Sequence, residues 1–518
     1  MDDLLVRDAR LVPLDGGPSP VVDVRIRGGV VAEVGRGLPG RGEAELAASG
    51  RWVAPGLWDA HLHAEQWVRS TTWLPLAGVG SAAQACARVA QALAGRVLAG
   101  RSPAGRVLAG RAPERAPDRA LIGFGHRIAT WPAPPTVAEL DAVTGALPVV
   151  LVAGDVHSGW LNSAALAALG VAPRAGMLAE DEWFAVFARL GELPGAAPAT
   201  ADWRTALTKL ASLGVVGIVD LELTDAWRAW PALVAAGLTP VRVRAGVYPD
   251  QLDAVIAAGL RSGDPLDVRG LVRMGPLKVI SDGSMGTRTA WCCEPYAPSP
   301  ADPGPHLGAP NVTPAQLQAL LARAREAGLE VAVHAIGDAA NAAALAAFAT
   351  TGARGCIEHA QLLRTIDLPR FAELGVTASV QPVHLLDDRD AAEAVWPDRT
   401  ARLYPFRSLL DAGARLAFGS DAPVSPPDPW GAMAAAVLRS GDDRDGWHPE
   451  QAITPREALA ASVDGVRIAP GAPGDLVVLA ADPLAASEPR RAAAVLRRMN
   501  VVTTVRAGAV TFRRECAR

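Results

Sequence analysis

Residues 313–338 read TPAQLQALLARAREAGLEVAVHAIGD, a helix-then-strand unit with its start and stop signals in place. Thr313 offers a hydroxyl to the first free amides, and Pro314 brings a fixed φ to the first helical position. Leu317, Leu320 and Leu321 form one apolar face at helical spacing, and Gly328 ends the helix. The apolar run at 329–333 is too short for a helix, reads as a buried strand, and delivers His334 at its end. Seven more such runs lie at 52–57, 215–221, 241–247, 272–280, 355–357, 376–380 and 415–418, with helical stretches between several of them. Thr454-Pro455-Arg456-Glu457 is a capping box that opens a helix beyond the eighth run. Eight buried strands alternating with helices predict an α/β protein built on a parallel barrel.

Both ends break this pattern. Short alternating runs at 4–6, 9–14, 21–27 and 30–34, and again at 475–479, 501–506 and 509–512, predict one small β-sandwich assembled from residues 1–52 and 470–518. The barrel then occupies 53–469. Residues from about 64 to 214 separate its first two strands and carry their own strands at 120–124 and 148–152, so an inserted subdomain that closes over the site is expected there. A tandem duplication within it (GRVLAGRSP at 95–103, GRVLAGRAP at 105–113) reads as a surface insertion. The 518 residues carry 50 basic and 54 acidic side chains, with no basic run interleaved with aromatics, which argues against nucleic acid. Five cysteines, two of them adjacent and none in C-x-x-C spacing, argue against a disulfide framework or a thiolate zinc ribbon. With neither a signal-peptide layout nor an apolar run of membrane-spanning length, a cytoplasmic protein is expected, acting on a small molecule, with homodimerisation left open.

Five motifs carry chemistry. In PGLWDAHLH (55–63), His61 and His63 are two apart after a strand, so both can face the barrel axis and hold one metal ion. In LKVISDGS (277–284), Lys278 is a lone charge in an apolar strand: either a carbamate that bridges two ions, or an ammonium that snorkels or pairs with Asp282. His334 and His359 each end a short apolar run on consecutive strands. Asp421, in GSDAPV (419–424), either ligates the ion and takes a proton from water or caps the following turn.

This set resembles the amidohydrolase superfamily. The stretches KVISDGSMGTRTA (278–290), HAIGD (334–338), SVQPVH (379–384), GSDAPV (419–424), DVH (155–157) with LNSAAL (161–166), and GDLVVL (474–479) resemble its YtcJ-like branch, which includes N-substituted formamide deformylase. The resemblance implies a distorted (β/α)8 TIM-type barrel with a β-sandwich from both termini. It also implies His61, His63, Lys278, His334, His359 and Asp421 as metal positions, with one or two divalent ions, zinc foremost. The expected reaction is hydrolysis of an amide or formamide-like C–N bond. Asp421 acts as base and then acid, and His334 or His359 polarises the carbonyl. His157, Asp282, Ser284 and Arg288 are the candidate substrate contacts. His126 replaces an aromatic of the family and is expected to alter the pocket, and the text at 461–465 also departs from the family. His384 is a candidate pocket lining, His306 and His448 are expected on exposed loops, and Cys292 and Cys293 are expected to be buried. The rival readings are a cyclic-amide, deaminase or ester substrate, or an idle metal-binding relative.

Overall fold

The computed structural model describes residues 3–100, 119–128, 131–298 and 304–515. The chain divides into two compact units, Met1–Ala64 with Arg204–Arg518, and Glu65–Trp203.

The first unit contains the barrel. Its parallel strands are β1 (Leu57–Leu62), β2 (Val215–Asp220), β3 (Arg242–Val247), β4 (Val272–Ile280), β5 (Val331–Ala335), β6 (Gly355–His359), β7 (Thr377–Val380) and β8 (Leu416–Phe418), paired in chain order. No ladder joins β8 to β1. The loop after β8 makes the seam: Leu62 forms a parallel bridge with Ala422, the Asp421 N–H donates to the His61 carbonyl (2.7 Å), and the His63 N–H donates to Ala422 (2.9 Å). Gly419 permits this approach, because a Cβ there would lie 2.6 Å from the backbone nitrogen of His61. The helix Pro314–Ala327 forms as its punctuation predicts. Thr313 and Gln316 close a capping box, and Gly328 ends the helix at φ +75°.

Both chain ends meet in a second, eight-stranded sheet of Leu4–Leu11, Val21–Arg27, Val30–Gly35, Ala44–Ala47, Trp52–Pro55, Leu476–Leu479, Val501–Arg506 and Ala509–Arg513. Val6, Val24, Ile26, Val53, Leu476, Val478 and Val505 form its core.

Two expectations change here. The run at 52–57 is not the first barrel strand: Trp52–Pro55 pairs with Leu476–Leu479 in the terminal sheet, and β1 starts at Leu57. The changeover falls at Gly56, whose N–H donates to Asp475 of one sheet while Leu57 donates to Gly214 beside β2. A Cβ at Gly56 would meet Val216 at 2.4 Å. An unbroken apolar run hides such a transfer, because both sheets need the same residue types. The separate runs at 4–6 and 9–14 are one bulged strand, Leu4–Leu11, with Asp8 at φ +52°.

The second unit has its own five-stranded sheet, ordered Leu178–Ala179, Ser158–Leu161, Val149–Ala153, Leu121–His126, Leu74–Pro75. Leu121, Trp131, Val149, Leu151 and Trp160 pack in its core. Most of the duplicated stretch lies outside the described residues, as does Cys516.

Candidate metal centre

Five barrel strands deliver the candidate ligands. His61 is the penultimate residue of β1 and His63 follows the strand. Lys278 lies near the end of β4, His334 in β5, and His359 at the end of β6. Asp421 follows β8. The register sets Ile280 beside His334, His334 beside Glu358, and Ala335 beside His359, so consecutive strands place their polar residues at one level. His359 and Asp421 adopt φ of +69° and +56°, and Ala360 +43°. A left-handed non-glycine residue costs on the order of 1–3 kcal/mol, and such strain concentrates at functional sites.

His61, His63, Lys278, His359 and Asp421 gather around one space, and His334 lies beside His359 with its Nε2 3.5 Å from the Gly283 carbonyl. Asp421 Oδ1 lies 3.3 Å from His61 Nε2 and 3.2 Å from His63 Nε2. Lys278 Nζ lies 3.4 Å from the same His61 nitrogen. The His61 ring centre is 5.3 Å from that of His359, which is 4.4 Å from that of His334. His61, Lys278, His334, His359 and Asp421 are all buried, and His63 is nearly so.

Burial and mutual contact set the charges. Burial, with Lys278 alongside, holds the His61 imidazole below its usual range. Burial likewise lowers the Lys278 amine, against the pull of Glu358 and Asp421. Burial and then His334 hold His359 well below the usual imidazole value. Burial alone would raise the Asp421 carboxyl, yet His61, His63 and His359 together hold it well below the carboxylate range. Next to the site, burial and then Glu222 push the Asp220 carboxyl up to about 7.

Glu358 is a candidate site residue that the motif reading passed over, although it directly precedes His359 in the sequence. Its Oε2 lies 2.8 Å from His61 Nδ1, and its Oε1 accepts from Cys356 Sγ (3.0 Å). Burial opposes its ionisation but His61 favours it, and the net effect holds the carboxyl below its ordinary value. An ionised carboxylate only accepts, so Nδ1 carries the His61 proton and Nε2 is a bare lone pair. That lone pair faces an ionised Asp421 oxygen at 3.3 Å. Two acceptors so placed repel unless a cation lies between them.

The donor set fits such a cation. Two imidazole nitrogens and a carboxylate oxygen are borderline-divalent ligands, and tetrahedral bonds of about 2.0–2.2 Å set ligand atoms about 3.3–3.6 Å apart. The buried Nδ1 of His63 and Nδ1 of His359 have no hydrogen-bond partner.

The other candidates each have local partners of their own. Asp282 is fully buried and turned to backbone: it accepts from Ile336 (3.0 Å), Gly337 (2.9 Å) and Trp291 (2.9 Å), so it braces the loops after β4 and β5 instead of presenting a face to substrate. Ser284 closes a local turn with Thr287 (2.9 Å). Arg288 lies over the Tyr296 ring and donates to the Ala297 carbonyl. His157 belongs to the second unit, where its Nδ1 lies 3.0 Å from Glu180 and its ring contacts Phe184. His126 is a core histidine of that unit, against Trp131 and 3.2 Å from the Leu151 carbonyl. His306 is half-buried and stacked on Tyr296, and His448 is half-buried too. Cys292 is buried, its thiol pushed up to about 12, whereas Cys293 is exposed. His384 is buried with its Nε2 3.8 Å from Asp421 Oδ2.

Among the described residues, no helix is long and apolar enough to cross a membrane. The model of the Amidohydrolase family matches residues 44–512. Protein LONG AFTER FAR-RED 3 of Arabidopsis thaliana is 28% identical, over 92% of this chain and 87% of that protein. The putative amidohydrolase YtcJ of Bacillus subtilis is 30% identical over half of each chain. The N-substituted formamide deformylase of Arthrobacter pascens is 26% identical over 89% and 88%. The crystal structure of an uncharacterized metal-dependent hydrolase from Pyrococcus horikoshii superposes with a TM-score of 0.75 at 26% identity, covering 94% of this chain and 99% of that one. The chain belongs to the amidohydrolase family.

Proposed function

We propose that this protein is a metal-dependent hydrolase of a C–N bond in an amide or formamide-like small molecule. The observation that carries the reading is the meeting of His61 Nε2, His63 Nε2 and Asp421 Oδ1 at ligand-to-ligand distances, with Glu358 fixing the His61 tautomer. A bound divalent cation, zinc foremost, lowers the pKa of water to about 7 and polarises a carbonyl. His61 and His63 hold it from β1. Asp421, kept ionised by its three histidine neighbours, accepts the proton of the attacking water and returns it to the leaving nitrogen. His359, held neutral by burial, faces the same space as a carbonyl-side donor or ligand, with His334 beside it. Lys278, a buried amine pushed toward its neutral form 3.4 Å from His61 Nε2, is suited to capture CO2 as a carbamate and become an anionic ligand. Ser284 and Arg288, on the loop after β4, stand as substrate contacts within the first unit. The terminal sheet closes as a small β-sandwich.

The likeness to a formamide deformylase selects the first substrates to assay. Purified protein with zinc and bicarbonate is offered N-formyl amines, N-acyl amino acids and cyclic amides, and its metal content is measured. Bound metal and turnover of a C–N substrate are expected, with Asp421→Asn lowering kcat by about 10²–10⁴-fold. No bound metal and no hydrolysis across the panel, or full turnover by Asp421→Asn, would refute the reading.

A further inference from the structure

Glu358 has two carboxylate oxygens, and each has its own partners. Oε2 takes the His61 Nδ1 proton at 2.8 Å, with Gln381 Nε2 at 3.5 Å from the same oxygen. Oε1 accepts from Cys356 Sγ at 3.0 Å. Cys356 and Glu358 are two apart on β6, so they share the inward face of that strand. The register sets Cys356 beside Ala332 of β5, and Ala332 beside Lys278 of β4. The thiol therefore lies at the level of the buried amine, below the carboxylate that reaches His61.

We propose that Cys356 is a positioning residue of this centre: its thiol holds the plane of the Glu358 carboxylate, and through it the ring of His61. The proposal rests on the reading that His61 ligates a divalent ion. The last torsion of a glutamate is broad, so a hydrogen bond at one oxygen fixes a point and a second, at the other oxygen, fixes the plane. His61 and Gln381 act on Oε2, and Cys356 acts on Oε1. Lys278 competes for the same carboxylate, since each of the two charges draws the other. A neutral donor on Oε1 opposes that turn without adding charge to the site. Cys356 is such a donor. It forms no disulfide, and desolvation and then the Glu358 charge hold its thiol well above the usual value, so the proton stays on sulfur.

The test compares the full-length protein with Cys356→Ser, Cys356→Ala and Cys356→Val. Serine keeps a donor, alanine removes it, and valine removes it while filling the space. Zinc affinity is read by chelator competition, and thermal unfolding checks that each variant is folded. Nuclear magnetic resonance of isotopically labelled histidine nitrogens in the metal-free protein reports the His61 tautomer. Cys356→Ala and Cys356→Val are expected to bind zinc about 3- to 10-fold more weakly, a smaller loss than removal of Glu358 itself. Both are expected to shift the His61 nitrogen signals away from the Nδ1–H pattern, and Cys356→Ser should restore affinity and signals together. If folded Cys356→Ala and Cys356→Val keep either the wild-type zinc affinity or the wild-type His61 signals, the thiol does not position the ring. If Cys356→Ser loses as much as Cys356→Ala, the side chain acts by packing alone. Either result overturns the proposal and leaves the metal-dependent reading standing. If the wild type binds no zinc, the metal-dependent reading falls and the role of Cys356 falls with it.

Discussion

Glu358 sets a quantitative demand on the centre. It is 1% exposed, holds His61 Nδ1 at 2.8 Å, and has Gln381 Nε2 3.5 Å from the same oxygen. A hydrogen bond to a charged partner contributes about 1.5–3 kcal/mol. Glu358→Ala removes it and frees the His61 ring to rotate or to move its proton to Nε2, the nitrogen that faces Asp421. At about 1.4 kcal/mol per factor of ten, the loss corresponds to roughly 10- to 100-fold in cation affinity. Glu358→Gln keeps an oxygen acceptor without the charge, so it should fall between the wild type and the alanine variant. The assay is competition for zinc against a chromophoric chelator, with thermal unfolding of the metal-free forms as a control on folding. If folded Glu358→Ala binds zinc as tightly as the wild type, the carboxylate does not orient His61 and the tautomer argument is wrong.

Lys278→Met should stabilise the metal-free protein by about 1 kcal/mol or more while weakening metal binding, because it replaces a buried amine by an apolar chain of similar length. The pH dependence supplies the sign. The folded-state value of Lys278 lies below its unfolded value of 10.5, so the unfolded chain binds more protons between the two. Wild-type stability therefore gains a rising component as pH increases through that window, and Lys278→Met loses that component in unfolding measured across pH. Gly419→Ala places a methyl group 2.6 Å from the His61 backbone nitrogen, where neither strand can yield cheaply. It should lower stability by about 1–3 kcal/mol and weaken zinc binding together. A wild-type melting temperature and zinc affinity would show that the β8–β1 seam is looser than the geometry implies.

Much of the barrel is legible from local chemistry. The cap at Thr313, the stop at Gly328 and the apolar runs of β2 to β8 follow from propensities and spacing that each segment carries by itself. The residue types of the centre are legible for the same reason: a histidine or lysine at the end of an apolar strand is conspicuous against its neighbours. Boundaries between sheets are less so. Residues 52–57 look like one strand because the terminal sheet and the barrel demand the same side chains, and only the pairing partners divide them at Gly56.

Which way each polar group turns is decided by packing. Asp282 and Glu358 are both acidic residues at strand ends. The first is consumed by three backbone amides and the second by His61, a residue 297 positions away. His126 and His384 are both single histidines in apolar text, yet one fills a core beside Trp131 and the other faces Asp421. The sequence by itself determined the strand-and-helix alternation and the inventory of cation-binding side chains, since both depend on local spacing. Only the tertiary structure decided the partners, because closure of the barrel brings β1, β6 and the loop after β8 together across hundreds of residues, and hydrogen-bond geometry at that junction has no local signature.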